Sequence, residues 1–271
     1  MARFSIVIPT LNEEKFLPKL LSSLAAQTRK DFEVIVVDGS SKDKTVSLAK
    51  KFVGKLPKLQ VIISTKASLP LQRNMGAQAA SGEWLIFVDA DSILAPYFIQ
   101  SITRYIHDQK PAFFTTWMRP DSEDPRDANI ALLANILLGI SLTMHRPLAC
   151  GPLTAVTRQA FDRAGGYNEA HTYNEDVDFS LRVSKLKVPI RIIPETLYTW
   201  SLRRLRHQGT LKVIQQYTVS ALPILFFNKP LKKLPGYFMG GHLYNQKKKI
   251  KLSSFRKYER KLTNLLKELF E

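Results

Sequence analysis

Trp84-Leu85-Ile86-Phe87-Val88-Asp89-Ala90-Asp91-Ser92 is an apolar strand that gives out into two carboxylates two residues apart. Hard divalent cations such as Mg²⁺ and Mn²⁺ take carboxylate oxygens and keep positions open for water or phosphate, so a strand-end Asp-x-Asp is a candidate diphosphate site. Asp and Asn also end strands for ordinary turn reasons, so the pair needs support from the rest of the chain.

That support begins upstream. Apolar runs at 4–8, 32–37, 60–64 and 84–88 read as strands, and the segments between them carry helical spacing, as at Phe16, Leu20, Leu21 and Leu24. Strands alternating with helices over short links predict an α/β fold around a mostly parallel sheet. Ligands in such sheets gather beyond the carboxyl ends of the strands. Here those ends read Thr10-Leu11-Asn12-Glu13, Asp38-Gly39-Ser40-Ser41 and Asp89-Ala90-Asp91, which should converge. Turn and helix-capping chemistry accounts for Ser40, Ser41 and Asp43 but not for the paired aspartates.

After Pro111 the pattern changes to a strand-like 112–118, a polar linker 120–127 and an apolar segment 130–144. Asn135, Gly139 and Ser141 interrupt that segment, which is shorter than the ~20 residues needed to span a bilayer, so a buried or interfacial helix is predicted. Residues 254–270 place Phe255, Tyr258, Leu262, Leu265, Leu266 and Leu269 at helical intervals among Lys and Arg, an amphipathic helix suited to packing on the domain or lying in a membrane interface.

The chain has 271 residues, a 45% hydrophobic fraction and a formal net charge of +17. This describes a folded globular protein, divided here into a domain at 1–200 and a basic, mainly helical region at 201–271. After Glu195 no acid appears until Glu259, and the 13 basic residues between them make a surface of one sign. An anionic membrane surface is the favoured partner for it, ahead of nucleic acid. No apolar leader precedes the first strand, and the single cysteine, Cys150, suits a buried thiol, so a cytoplasmic location is expected, peripheral on the membrane.

Further motifs follow in order: Arg73-Asn74-Met75-Gly76, Cys150-Gly151-Pro152, Gly165-Gly166-Tyr167 and Asn174-Glu175-Asp176-Val177-Asp178. Together with Pro9-Thr10-Leu11-Asn12-Glu13, Asp38-Gly39-Ser40-Ser41 and Asp89-Ala90-Asp91, they resemble a family 2 inverting glycosyltransferase of the GT-A fold over roughly residues 3–200. The resemblance implies a nucleotide-sugar donor, with a UDP-sugar favoured over GDP, and Mn²⁺ or Mg²⁺ as cofactor. It implies that Pro9, Thr10, Asn12, Glu13, Asp38 and Arg73 line the nucleotide pocket, with Asp89 near the ribose or metal-bound water and Asp91 on the metal. It also implies Asp176 as the base that deprotonates an acceptor hydroxyl, with Glu175 holding a sugar.

Arg203, Arg204 and His207 lie in a basic segment that resembles one following the catalytic domain in some members, where it contacts the diphosphate or acceptor. That segment departs from the Gln-x-x-Arg-Trp form of processive synthases, which favours transfer of a single sugar. A lipid-phosphate acceptor, as in polyprenyl-phosphate glycosyltransferases, is the alternative, although an ionised phosphate needs no base. A nucleotidyltransferase would call for a Gly-rich, Lys-containing loop after the first strand, and none is there. A catalytically idle membrane- or nucleic-acid-binding module would have no use for both acidic pairs.

Overall fold

The computed structural model describes residues 3–143, 151–209, 213, 215–216, 219–220, 224, 230–234 and 240–244. Cys150, the expected 254–270 helix and every Lys and Arg beyond Lys233 lie outside them.

Four strands build the first half: β1 (Phe4–Thr10), β2 (Phe32–Asp38), β3 (Leu59–Ile63) and β4 (Trp84–Val88). Helices α1 (Leu17–Ala25), α2 (Thr45–Lys50) and α3 (Leu69–Ala79) connect them. All pairings here are parallel: β1 sits between β2 and β4, and β2 carries β3. Successive strand side chains point to opposite faces. Phe4, Ile6 and Ile8 therefore enter one core with Leu17, Leu20, Leu21 and Leu24 of α1, while Val7 enters the other with Val37 and Phe87. Close seating of α3 on β1 depends on Gly76, where a Cβ would come within 2.2 Å of Val7 Cγ1.

The remaining elements are β5 (Ile93–Leu94), α4 (Phe98–Gln109), β6 (Phe113–Pro120), α5 (Pro125–Thr143), β7 (Leu153–Thr157), α6 (Arg158–Arg163), α7 (Glu175–Ser184), β8 (Ile190–Trp200) and α8 (Arg203–Gln208). The sheet has eight strands in the order β3-β2-β1-β4-β7-β6-β8-β5. β7 runs antiparallel between β4 and β6, β6 pairs parallel with β8, and β5 closes the edge antiparallel. The sheet is thus parallel through its first half and mixed in its second, flanked by helices on both faces.

The apolar segment after the linker is α5. Its inner residues Ala131, Asn135, Leu138 and Ser141 are buried. Asn135 clamps the helix to β6, accepting from the Met118 N–H at 3.0 Å and donating to the Met118 carbonyl at 2.9 Å, next to a shift in the β6–β8 register. Among the described residues no helix is long and apolar enough to cross a membrane.

Candidate active site

The parallel register sets Thr10 beside Asp38, and the carboxyl ends of β1, β2 and β4 open on one side of the sheet. Gln72 of α3 stitches two of them, its amide donating to the Thr10 carbonyl at 2.9 Å and the Val37 carbonyl at 2.7 Å. Asp38 accepts from Thr10 Oγ1 at 3.2 Å and from the Ser41 N–H at 2.8 Å. Asn12 has a left-handed backbone with φ 54°, turning the chain so that its Oδ1 accepts from the Lys42 N–H at 2.7 Å. Pro9 and Thr10 are buried within β1. Thr10, Asn12 and Asp38 are therefore joined through Ser41 in one hydrogen-bonded group.

A different buried arginine bonds each of the strand-end aspartates. Arg73 donates to Glu175 Oε1 at 3.0 Å, to Asp89 Oδ1 at 3.1 Å and to the Gly151 carbonyl at 3.1 Å, with its guanidinium over the Tyr167 ring. Arg203, from the first turn of α8, places Nη2 2.6 Å from Glu13 Oε1 and 2.9 Å from Asp91 Oδ2, and stacks on Phe16. One aspartate is thereby tied to the acidic pair on α7, and the other to the end of β1.

The electrostatics differ sharply between the two ends of the sheet. At the far end burial would raise Glu33, but bonds from Lys58, Ser81 and Ser5 outweigh it and hold the carboxyl at about 2. At the site burial prevails over the arginines: Glu13 is raised to about 7 and Asp89 to about 6, with Asp91 adding to both. Asp91 is raised by burial against the pull of Arg203. Asp176 is raised by burial and then by the Glu175 charge, partly offset by Arg73. Clustered carboxyls pushed above their ordinary range make this end of the sheet the candidate functional site.

Glu175 and Asp176 occupy the first turn of α7, where an acidic group complements the helix dipole. Glu175 is buried on Arg73, while Asp176 is half-buried, accepts from the Val177 N–H at 2.8 Å and turns its Oδ2 towards Gly151. Arg73 Nε, Tyr167 OH and Asn174 Nδ2 are buried without a hydrogen-bond partner among the described residues.

Arg203 reaches Asp91, whereas Arg204 turns to Gln208 and Gln216 and His207 packs edge-on against Tyr244. Residues 241–244 were not foreseen in this site. Their 3₁₀ turn sets His242 Nδ1 3.2 Å from the Leu11 carbonyl and Nε2 3.5 Å from Asn12 Nδ2. Gly241 lies so close that a Cβ would meet Arg203 Nη2 at 1.8 Å. No local signal in the sequence marks a contact 230 residues from Asn12.

Among the described residues no group of three His, Cys, Asp or Glu side chains could hold a metal ion by itself. Mg²⁺ and Mn²⁺ do not require such a cage, because one or two carboxylates plus substrate phosphates suffice, and the donor set of Asp89 and Asp91 fits that mode.

A family model described as "Glycosyl transferase family 2" matches residues 5–165. An uncharacterized glycosyltransferase of Haemophilus influenzae is 28% identical over 66% of this chain and 61% of its own. A PGL/p-HBAD biosynthesis glycosyltransferase of Mycobacterium tuberculosis is 31% identical over 66% of this chain and 68% of its own. The Staphylococcus aureus poly(ribitol-phosphate) β-N-acetylglucosaminyltransferase TarS is 34% identical over 40% of this chain, which matches 19% of TarS. Among solved structures, TarS 1-349 in complex with UDP-GlcNAc superposes with a TM-score of 0.61 at 23% identity, over 73% of this chain and 58% of that one. The mannosyltransferase PcManGT of Pyrobaculum calidifontis, in complex with GDP-Man and Mn²⁺, gives 0.63 at 20% identity, over 81% and 64%. These neighbours share the GT-A fold. The chain spans about three fifths of the length of the Haemophilus influenzae relative and a fifth of TarS, and it belongs to glycosyl transferase family 2.

Proposed function

We propose that this enzyme transfers a single sugar, with inversion, from a UDP-sugar to a hydroxyl of a glycolipid or lipid-linked saccharide at the cytoplasmic face of a membrane. The half-buried Asp176, beside a Glu175 that Arg73 links to Asp89, carries the reading. Pro9, Thr10, Asn12, Glu13 and Asp38 bind the nucleoside, with Asp38 offering a carboxylate to a base N–H. Asp91 would hold Mg²⁺ or Mn²⁺ beside the diphosphate, with Asp89 near the ribose or metal-bound water, and the cation would supply positive charge for the nucleoside diphosphate that leaves.

The chain's own residues do the rest. Arg73 fixes Asp89 and Glu175 relative to each other, and Glu175 orients a sugar hydroxyl. Asp176 takes the acceptor proton as that oxygen bonds to the anomeric carbon, opposite the bond to the leaving phosphate oxygen that breaks. Its raised carboxyl makes it a stronger base than an exposed aspartate, and such a positioned base contributes ~10²–10⁴-fold. A phosphate acceptor would arrive already ionised and leave Asp176 without a task. The UDP preference is supported by the fold shared with TarS 1-349 in its UDP-GlcNAc complex, while PcManGT in its GDP-Man complex makes GDP the second choice. The acid-free, basic span between Glu195 and Glu259 supports membrane attachment.

The test is Asp176→Asn. Nucleoside-diphosphate affinity should stay within about twofold while transfer drops ~10²–10⁴-fold. Transfer at the parental rate would remove the base assignment and return a lipid phosphate as acceptor.

A further inference from the structure

We propose that the outer face of α5 is a membrane-docking surface that lies in the interface of an anionic lipid leaflet. The helix is apolar on both faces. Its inner row packs on β6 and β8, while Leu132, Leu133, Ile136, Leu137 and Ile140 point outward, each 46–56% exposed. These five side chains form two adjoining rows at helical spacing, and no charged residue occurs from Ala128 to Met144. A soluble monomer rarely leaves so continuous an apolar stripe in water.

The occupant is identified by charge. The chain carries +17 overall, so a second copy laid on this face would bring a like charge with it, whereas an anionic leaflet neutralises that charge. The basic segment is also fastened to this helix. Arg206 of α8 pairs with Asp127 in the first turn of α5 at 2.8 Å and with Asp121 just before it at 2.7 Å. Lipid attraction for the basic region therefore draws α5 towards the surface, and apolar insertion adds to attraction that salt would otherwise weaken. Because the inner row of α5 stays packed on β6 and β8, the proposed contact is interfacial. Arg203, on the same short helix as Arg206, reaches Asp91, so docking holds the active site close to the lipid plane.

This deepens the peripheral attachment proposed above, and its test is independent of sugar transfer. The full chain and a Leu133→Asn/Ile136→Asn/Leu137→Asn variant are floated with vesicles of phosphatidylcholine alone or mixed with phosphatidylglycerol. The parent should bind the mixed vesicles, and the variant should bind them about tenfold less with an unchanged unfolding midpoint. A second variant, Ile136→Trp, should gain a blue-shifted emission on the mixed vesicles beyond that of the parent. Equal, salt-sensitive binding by parent and triple variant would show that charge alone attaches the protein and overturn the proposal. So would a parent that ignores both vesicles but elutes as a dimer that the triple variant dissolves.

Discussion

Arg203 stands 2.6 Å from Glu13, joining the first turn of α8 to the loop after the first strand across 190 residues of chain. Both side chains are buried, at 8% and 6% exposure, and the same guanidinium reaches Asp91. Arg203 and His242, both beyond β8, thus contribute to the site's architecture.

Removing one partner of a buried ion pair strands the other, which costs more than the pair itself contributes. Arg203→Met should therefore lower stability by about 3 kcal/mol, read from the urea unfolding midpoint. The double variant with Glu13→Gln should recover at least half of that loss. A single-variant loss below about 0.5 kcal/mol would mean that water reaches Glu13 and screens it.

A second prediction concerns packing. Gly76→Ala places a methyl 2.2 Å from Val7 Cγ1, in the layer between α3 and β1. Overpacking of this kind costs about 1–3 kcal/mol, and because Arg73 lies one turn earlier on the same helix, donor affinity should fall along with the unfolding midpoint. Val7→Ala in the same chain should restore much of both, which a purely local backbone effect of the glycine would not allow.

These contacts show what could be read from the chain and what could not. Strands 4–8, 32–37, 60–64 and 84–88 were legible because buried parallel strands are short apolar runs, and polar residues at their ends located the open side of the sheet. The two-residue β5 and the antiparallel insertion of β7 between β4 and β6 were not, since pairing partners depend on topology rather than on local pattern. The period of α5 was legible but its environment was not, because a helix apolar on every side gives no direction to its buried face. Arg203 was singled out as a contact for diphosphate or acceptor, yet its bonds to Glu13 and Asp91 arise only from tertiary placement. His242 left no trace at all.

The third prediction concerns the cation. If Asp91 holds it, then calorimetry with UDP should show affinity falling at least tenfold on EDTA addition, and Asp91→Ala should abolish the difference between the two conditions. In the parent, Arg203 bonds the same carboxylate that the cation needs, so Arg203→Met should leave metal-dependent binding in place while changing its strength. Equal UDP affinity with and without EDTA in the parent would remove the metal from this site.

The last prediction concerns pH. Burial raises the Asp176 carboxyl, and the neighbouring Glu175 charge raises it further. A general base works only when deprotonated, so kcat/KM should fall as pH drops through this raised value, giving an acidic limb above the ordinary carboxylate range. Glu175→Gln removes a negative charge that disfavours ionisation of Asp176. Its limb should accordingly move to lower pH, even though the plateau rate drops because the glutamine no longer pairs with Arg73. The direction separates the two roles: a Glu175 that was itself the base would lose the limb altogether on becoming glutamine, and a limb that moved to higher pH would mean that Glu175 stabilises the ionised Asp176 through the shared arginine.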